Sequence, residues 1–161
     1  MKKRVTEKEK QFIERALSLA SESIKLGGGP FGAVIVRRGK IIAEAFNEVV
    51  LSGDPTSHAE ILAIKKAAWT KGSLNLGDCF LYSSCEPCPM CLGAVYWAGI
   101  KRVYYVSDRR DAARAGFNDE LIYDEVMKKP EERKVDFIKV NDIDGSFVFD
   151  EWNRFENRIP Y

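Results

Sequence analysis

Phe12, Ile13, Ala16, Leu17, Ala20 and Ile24 recur at the spacing of one helix face, and the run stops at Gly27-Gly28-Gly29-Pro30. This pattern predicts an opening amphipathic helix over residues 9–26. AVIV (33–36) and IIAEAF (41–46) are short, β-branched runs on either side of Arg37-Arg38-Gly39-Lys40, which predicts a two-stranded hairpin. A polar loop follows at 47–56. Ser57 stands three residues before Glu60, a helix-start signature, and Ile61, Leu62, Ile64 and Ala68 then mark the buried side of a helix running to about residue 70. Further strands are predicted at 79–84, 102–107 and 135–140. Helices are predicted at 88–98, 109–115, 119–128 and 147–157. Strands that alternate with helices after an early hairpin make an α/β protein: a three-layer α/β/α sandwich on a mixed five-stranded sheet, in a single domain over residues 1–161.

Composition narrows the setting. With 161 residues, 45% of them hydrophobic, the chain is long enough for one packed core. The opening MKKRVTEKEK has no apolar stretch after it, and the longest apolar run, CLGAVYWAGI (91–100), is far short of the ~20 residues of a membrane span. A cytoplasmic protein with no membrane partner is expected, and in that reducing compartment four cysteines read as thiols or metal ligands rather than disulfides. Lys and Arg number 25 against 24 Asp and Glu, so the net charge of +1 carries no global footprint for nucleic acid.

Within SCEPCPMC, Cys85, Cys88 and Cys91 fall at a strict period of three. An iron–sulfur run of this kind needs a fourth cysteine where the chain has Val95. A zinc knuckle built on Cys85 would leave His58-Ala59-Glu60 as coincidence. The sole histidine, His58, together with Cys88 and Cys91, supplies one imidazole and two thiolates, which suit tetrahedral zinc and leave a fourth position for water or hydroxide. His58-Ala59-Glu60 followed by Pro87-Cys88-Pro89-Met90-Cys91 matches the H-x-E…P-C-x-x-C signature of zinc-dependent nucleobase deaminases, in which the glutamate moves protons and does not bind the metal.

On these residues, and on GGGPFGAVIV, DPTSHAE, SCEPCPMCLGAVYWA, AARAGF and the terminal aromatic, the chain resembles the cytidine/deoxycytidylate deaminase-like zinc-dependent family and, within it, the bacterial guanine deaminases. The resemblance spans nearly the whole chain. It implies hydrolysis of guanine to xanthine and ammonia by a homodimer whose C-terminal segments are domain-swapped, with one Zn2+ per subunit. It implies His58, Cys88 and Cys91 as zinc ligands and Glu60 as proton shuttle. Asn47, Phe31, Phe117 and Ala59 are then substrate-binding, Asp119 assists departure of the amine, and Tyr161 closes over the site of the neighbouring subunit. By residue type alone Asn47 reads more simply as a turn residue, Phe31 as a core aromatic and Asp119 as a first-turn or N-cap residue of the next helix. The chain has Asn118-Asp119 after AGF where members of the family often have two aspartates; the second carboxylate is kept.

Two other classes share part of this pattern. A tRNA adenosine deaminase has the same zinc core but must bind a polyanion, and no basic surplus is present to do so. A non-enzymatic zinc or cluster module would need a closed, fully protein-liganded metal. Within the deaminases, guanosine, ammeline and cytosine remain alternative substrates.

Overall fold

The computed structural model describes residues 5–161, so the first four residues of the charged opening lie outside the described residues. The chain forms two compact units, one through Asp119 and one over Glu120–Tyr161.

In the first unit, α1 (Glu7–Lys25) starts at a reciprocal cap: Thr6 Oγ1 accepts from the Glu9 N–H (3.2 Å), and the Glu9 carboxylate accepts from the Thr6 N–H (2.7 Å). Next come β1 (Gly32–Arg37), β2 (Lys40–Phe46), the short α2 (Val49–Ser52) inside the expected loop, and α3 (Ala59–Lys71). After these follow β3 (Cys79–Cys85), α4 (Pro89–Trp97), β4 (Val103–Ser107) and α5 (Arg109–Arg114). The hairpin turn places Arg38 and Gly39 at φ 49° and 73°, the left-handed pair whose twist matches that of the strands it joins.

The sheet order is β2-β1-β3-β4, with β1 antiparallel to both β2 and β3, and β4 parallel to β3. Strand periodicity sends alternate side chains to opposite faces. Ala33, Ile35, Cys79 and Leu81 pack with Ala59, Ala63 and Ala67 of α3 and Val95 of α4. Val34, Val36 and Tyr82 pack with Ala16 and Leu19 of α1. Helices therefore cover both faces.

The second unit contains α6 (Glu120–Val126), a 3-10 turn (Pro130–Glu132) and α7 (Ser146–Arg154). Residues 135–140 are not a strand, so the sheet has four strands and not the expected five. Their apparent alternation is broken by adjacent Phe137 and Ile138, both exposed, and no described strand pairs with them. A strand is stabilised by its ladder, and this segment has none.

At Gly32, where α1 crosses β1, a Cβ would lie 2.2 Å from the Ala16 carbonyl oxygen and 2.7 Å from the Ala20 nitrogen. Both obstacles are backbone, so relief requires the helix to move off the sheet. Gly32→Ala is expected to lower unfolding free energy by about 2–4 kcal/mol; a urea midpoint equal to wild type would refute the close approach.

Candidate active site

Two helices begin side by side with unusual caps. His58 is the N-cap of α3 and Cys88 the N-cap of α4, and neither side chain caps its own helix. Pro89 at the first turn of α4 costs nothing, because its missing N–H would have had no partner there, and its fixed φ suits the helix. The cap side chains turn to each other instead. His58 Nδ1 lies 3.5 Å from Cys88 Sγ and 3.6 Å from Cys91 Sγ, and the three ligand atoms all fall within 4.8 Å of one another.

This spacing fits zinc. A tetrahedral ion with Zn–S of about 2.3 Å and Zn–N of about 2.0 Å sets nitrogen and sulfur about 3.5 Å apart. The two helix N-termini add their positive dipole ends, which favour thiolate. The Cys88 sulfur pulls the His58 imidazole pKa up against the opposing effect of burial. Between the sulfurs, the Cys91 hydrogen bond pulls Cys88 down, helped by His58, while Cys91 itself is pushed up by Cys88, burial and Glu60.

The helix that Ser57 and Glu60 signal starts one residue later, with His58 as its N-cap, and no bond joins Ser57 to Glu60. Ser57 Oγ bonds Asp54 (3.1 Å), while Glu60, 4% exposed, turns inward to accept a hydrogen bond from Ser83 Oγ (2.9 Å) on β3, with its other oxygen 3.6 Å from Cys91 Sγ. Burial pushes the Glu60 carboxyl pKa up, and the Ser83 hydroxyl partly opposes this.

A cavity of about 460 Å³ opens beside this cluster, lined among others by His58, Glu60, Cys88, Asn47, Phe31, Phe117 and Asp119. Asn47 is buried after β2 and lines the cavity; its Oδ1 accepts from the Val49 N–H (3.2 Å), an Asx turn. Phe31 and Phe117 meet edge to face at 4.9 Å. Asp119 is half-buried; burial raises its pKa, as does the charge of Cys88, while Arg109 opposes the rise. Ala59 packs in the core with α3 and does not line the cavity. Tyr161 ends the second unit and is exposed.

Sequence reasoning missed Ser83, and also Glu86 and Arg109, which line the cavity and are joined by the bond from the Arg109 N–H to the Glu86 carboxylate (3.3 Å). A signal for Ser83 was present: positions 79, 81, 83 and 85 of one strand share a face, so a serine there must find a polar partner in the core.

The site and fold define a zinc deaminase. The family described as cytidine and deoxycytidylate deaminase zinc-binding region matches residues 6–107, and the chain belongs to it. The chain is 52% identical over 151 residues to guanine deaminase of Bacillus subtilis, covering 93% of this chain and 97% of that protein. The crystal structure of guanine deaminase from Bacillus subtilis superimposes with a TM-score of 0.91 at 51% identity, covering 94% of this chain and 98% of that one. A tRNA-specific adenosine deaminase of Aquifex aeolicus is 42% identical over 94 residues, or 58% of this chain and 62% of that protein.

Metal binding should separate the three evenly spaced cysteines. Cys85→Ala is expected to keep one zinc per chain by elemental analysis, whereas Cys88→Ser loses most of it. Binding displaces thiol protons, so zinc affinity should rise between pH 6 and 8; an affinity independent of pH would contradict a two-thiolate site.

Proposed function

We propose that this protein hydrolyses guanine to xanthine and ammonia, as one deaminase domain per chain acting in the cytoplasm. The observation that carries the reading is Glu60, a buried carboxylate held against the His58, Cys88 and Cys91 cluster at the wall of a purine-sized cavity. The near full-length similarity to a guanine deaminase supports the substrate; the tRNA-specific relative matches little more than half of the chain. Described residues include no helix long and apolar enough to cross a membrane.

His58, Cys88 and Cys91 would hold the metal. Zinc at that position supplies a Lewis acid that lowers the pKa of water towards about 7. Asn47 orients the purine by donating from Nδ2 to a ring acceptor, and the Phe31 and Phe117 rings, in contact edge to face, together supply an apolar wall for it. Glu60 takes a proton from the attacking water, passes it to the ring nitrogen beside C2, and carries the second to the exocyclic amine. A C2–O bond forms, the C2–N bond breaks, and ammonia departs. The Ser83 hydroxyl keeps one oxygen of Glu60 fixed while the other works. Asp119 faces the leaving amine and accepts from it.

A homodimer in which Tyr161 closes the neighbouring subunit's cavity completes the proposal. In the second unit the adjacent Phe147, Val148 and Phe149 are exposed, and in the first Tyr96 and Trp97 are; a partner subunit that covers such apolar residues supports the reading.

Glu60→Gln should retain zinc and lower kcat for guanine by at least about 10³-fold in an ammonia-release assay, since a shuttle's removal costs proton transfer and not binding. Activity near wild type would remove Glu60 from the chemistry; no release from guanine by wild type, with release from guanosine, ammeline, cytosine or adenine, would reassign the substrate. Mixing inactive Glu60→Gln with a variant lacking Tyr161 should restore part of the activity after subunit exchange, because one hybrid site then has both groups. Failure to complement, in a mixture shown to exchange, argues that Tyr161 does not act across subunits.

A further inference from the structure

The tri-glycine stretch after α1 ends a helix, yet a C-cap requires only one glycine. Gly27 alone takes that role, at φ 87°. Gly28 and Gly29 have no such backbone need, and what surrounds them is Asn47.

A Cβ on Gly28 would lie 2.4 Å from Ser23 Oγ and 2.6 Å from the Asn47 carbonyl oxygen. One on Gly29 would lie 3.1 Å from both Cγ and Oδ1 of Asn47, and 3.4 Å from the Phe31 ring. Ser23, wholly buried near the end of α1, donates its hydroxyl to that Asn47 carbonyl (2.9 Å) and accepts the Gly28 N–H on its own carbonyl (2.8 Å). From the other side, the Asn47 N–H donates to the Phe31 carbonyl (2.9 Å), whose own N–H reaches back to Gly29 (2.8 Å). Asn47 is thereby gripped through its nitrogen, its carbonyl and its side-chain oxygen, and the bare α-carbon of Gly29 is the wall against which its amide lies.

We infer that Gly29, with Ser23 behind it, is a positioning residue for substrate recognition: it sets where the Asn47 amide stands in the cavity and so tunes affinity for the base, without part in the chemistry. The inference rests on the reading of Asn47 as the group that binds the purine. Adding one methyl at Gly29 must displace the amide by a few tenths of an ångström, enough to spoil a directional hydrogen bond. Glu60 and the metal cluster lie outside the bracket, so proton transfer should be spared.

The test is steady-state kinetics of zinc-loaded protein with guanine. Gly29→Ala is expected to raise KM about tenfold while kcat stays within about threefold, with zinc content and the thermal midpoint close to wild type. Ser23→Ala, which adds no atom, should raise KM in the same direction. In an Asn47→Ala background, Gly29→Ala should cost little further kcat/KM, since the amide it displaces is gone. An unchanged KM in Gly29→Ala, a fall in kcat alone, or full additivity with Asn47→Ala would overturn the inference. The two possible failures separate: wild type that releases no ammonia from guanine sinks the functional reading, whereas active wild type with an unresponsive Gly29→Ala sinks only this one.

Discussion

The site depends on two helices surrendering their caps. A helix start has unpaired N–H groups that a side chain usually satisfies. In α3 and α4 the cap positions hold His58 and Cys88, whose side chains are turned to each other across 3.5 Å. The mutual approach of these N-termini fixes everything downstream: Cys91 lies in the first turn of α4, Glu60 in the first turn of α3, and Glu60 joins Ser83 of β3 to Cys91. The alanine column of α3 brings that helix close enough to the sheet for Ser83 to reach the carboxylate.

Much of this was readable in the chain. The metal ligands are few, chemically distinctive and regularly spaced, so their type alone marks them. The first four strands and the longer helices lie where the pattern places them, but the buried side of α3 is its alanine column, Ala59, Ala63 and Ala67, while the expected Ile61, Leu62, Ile64 and Ala68 are only half-buried. Residues 135–140 misled because β-branched and aromatic content reports suitability for a strand, while forming one requires a partner edge. Ser57 misled for the opposite reason: its spacing to Glu60 is that of a capping box, but the carboxylate has a better use with Ser83.

What could not be read are contacts between distant segments that leave no local pattern. Ser23 lies in a helix whose polar positions look interchangeable, yet it is buried and bonded to Asn47, 24 residues on. Gly28 and Gly29 look like helix-stop punctuation and act instead as room for a neighbour. The opening helix is thus joined to the cavity by more than packing, and a change near its C-terminus is carried to the base-binding side through a single hydroxyl.

The burial of Glu60 also bears on how stable this fold can become. Before a cation is bound beside it, a carboxylate at 4% exposure that is held by the Ser83 hydroxyl and lies near a sulfur gives up hydration at a cost to the fold. Its place in the first turn of α3 is therefore a fault line that the alanine and β-strand packing around it must hold shut. Random substitution followed by selection for thermal resistance would find an uncharged residue there among its quickest gains, and the population would harden as it lost its chemistry. The working enzyme thereby accepts a compromise between endurance and turnover at one side chain, kept in the core for its chemistry and not for its packing.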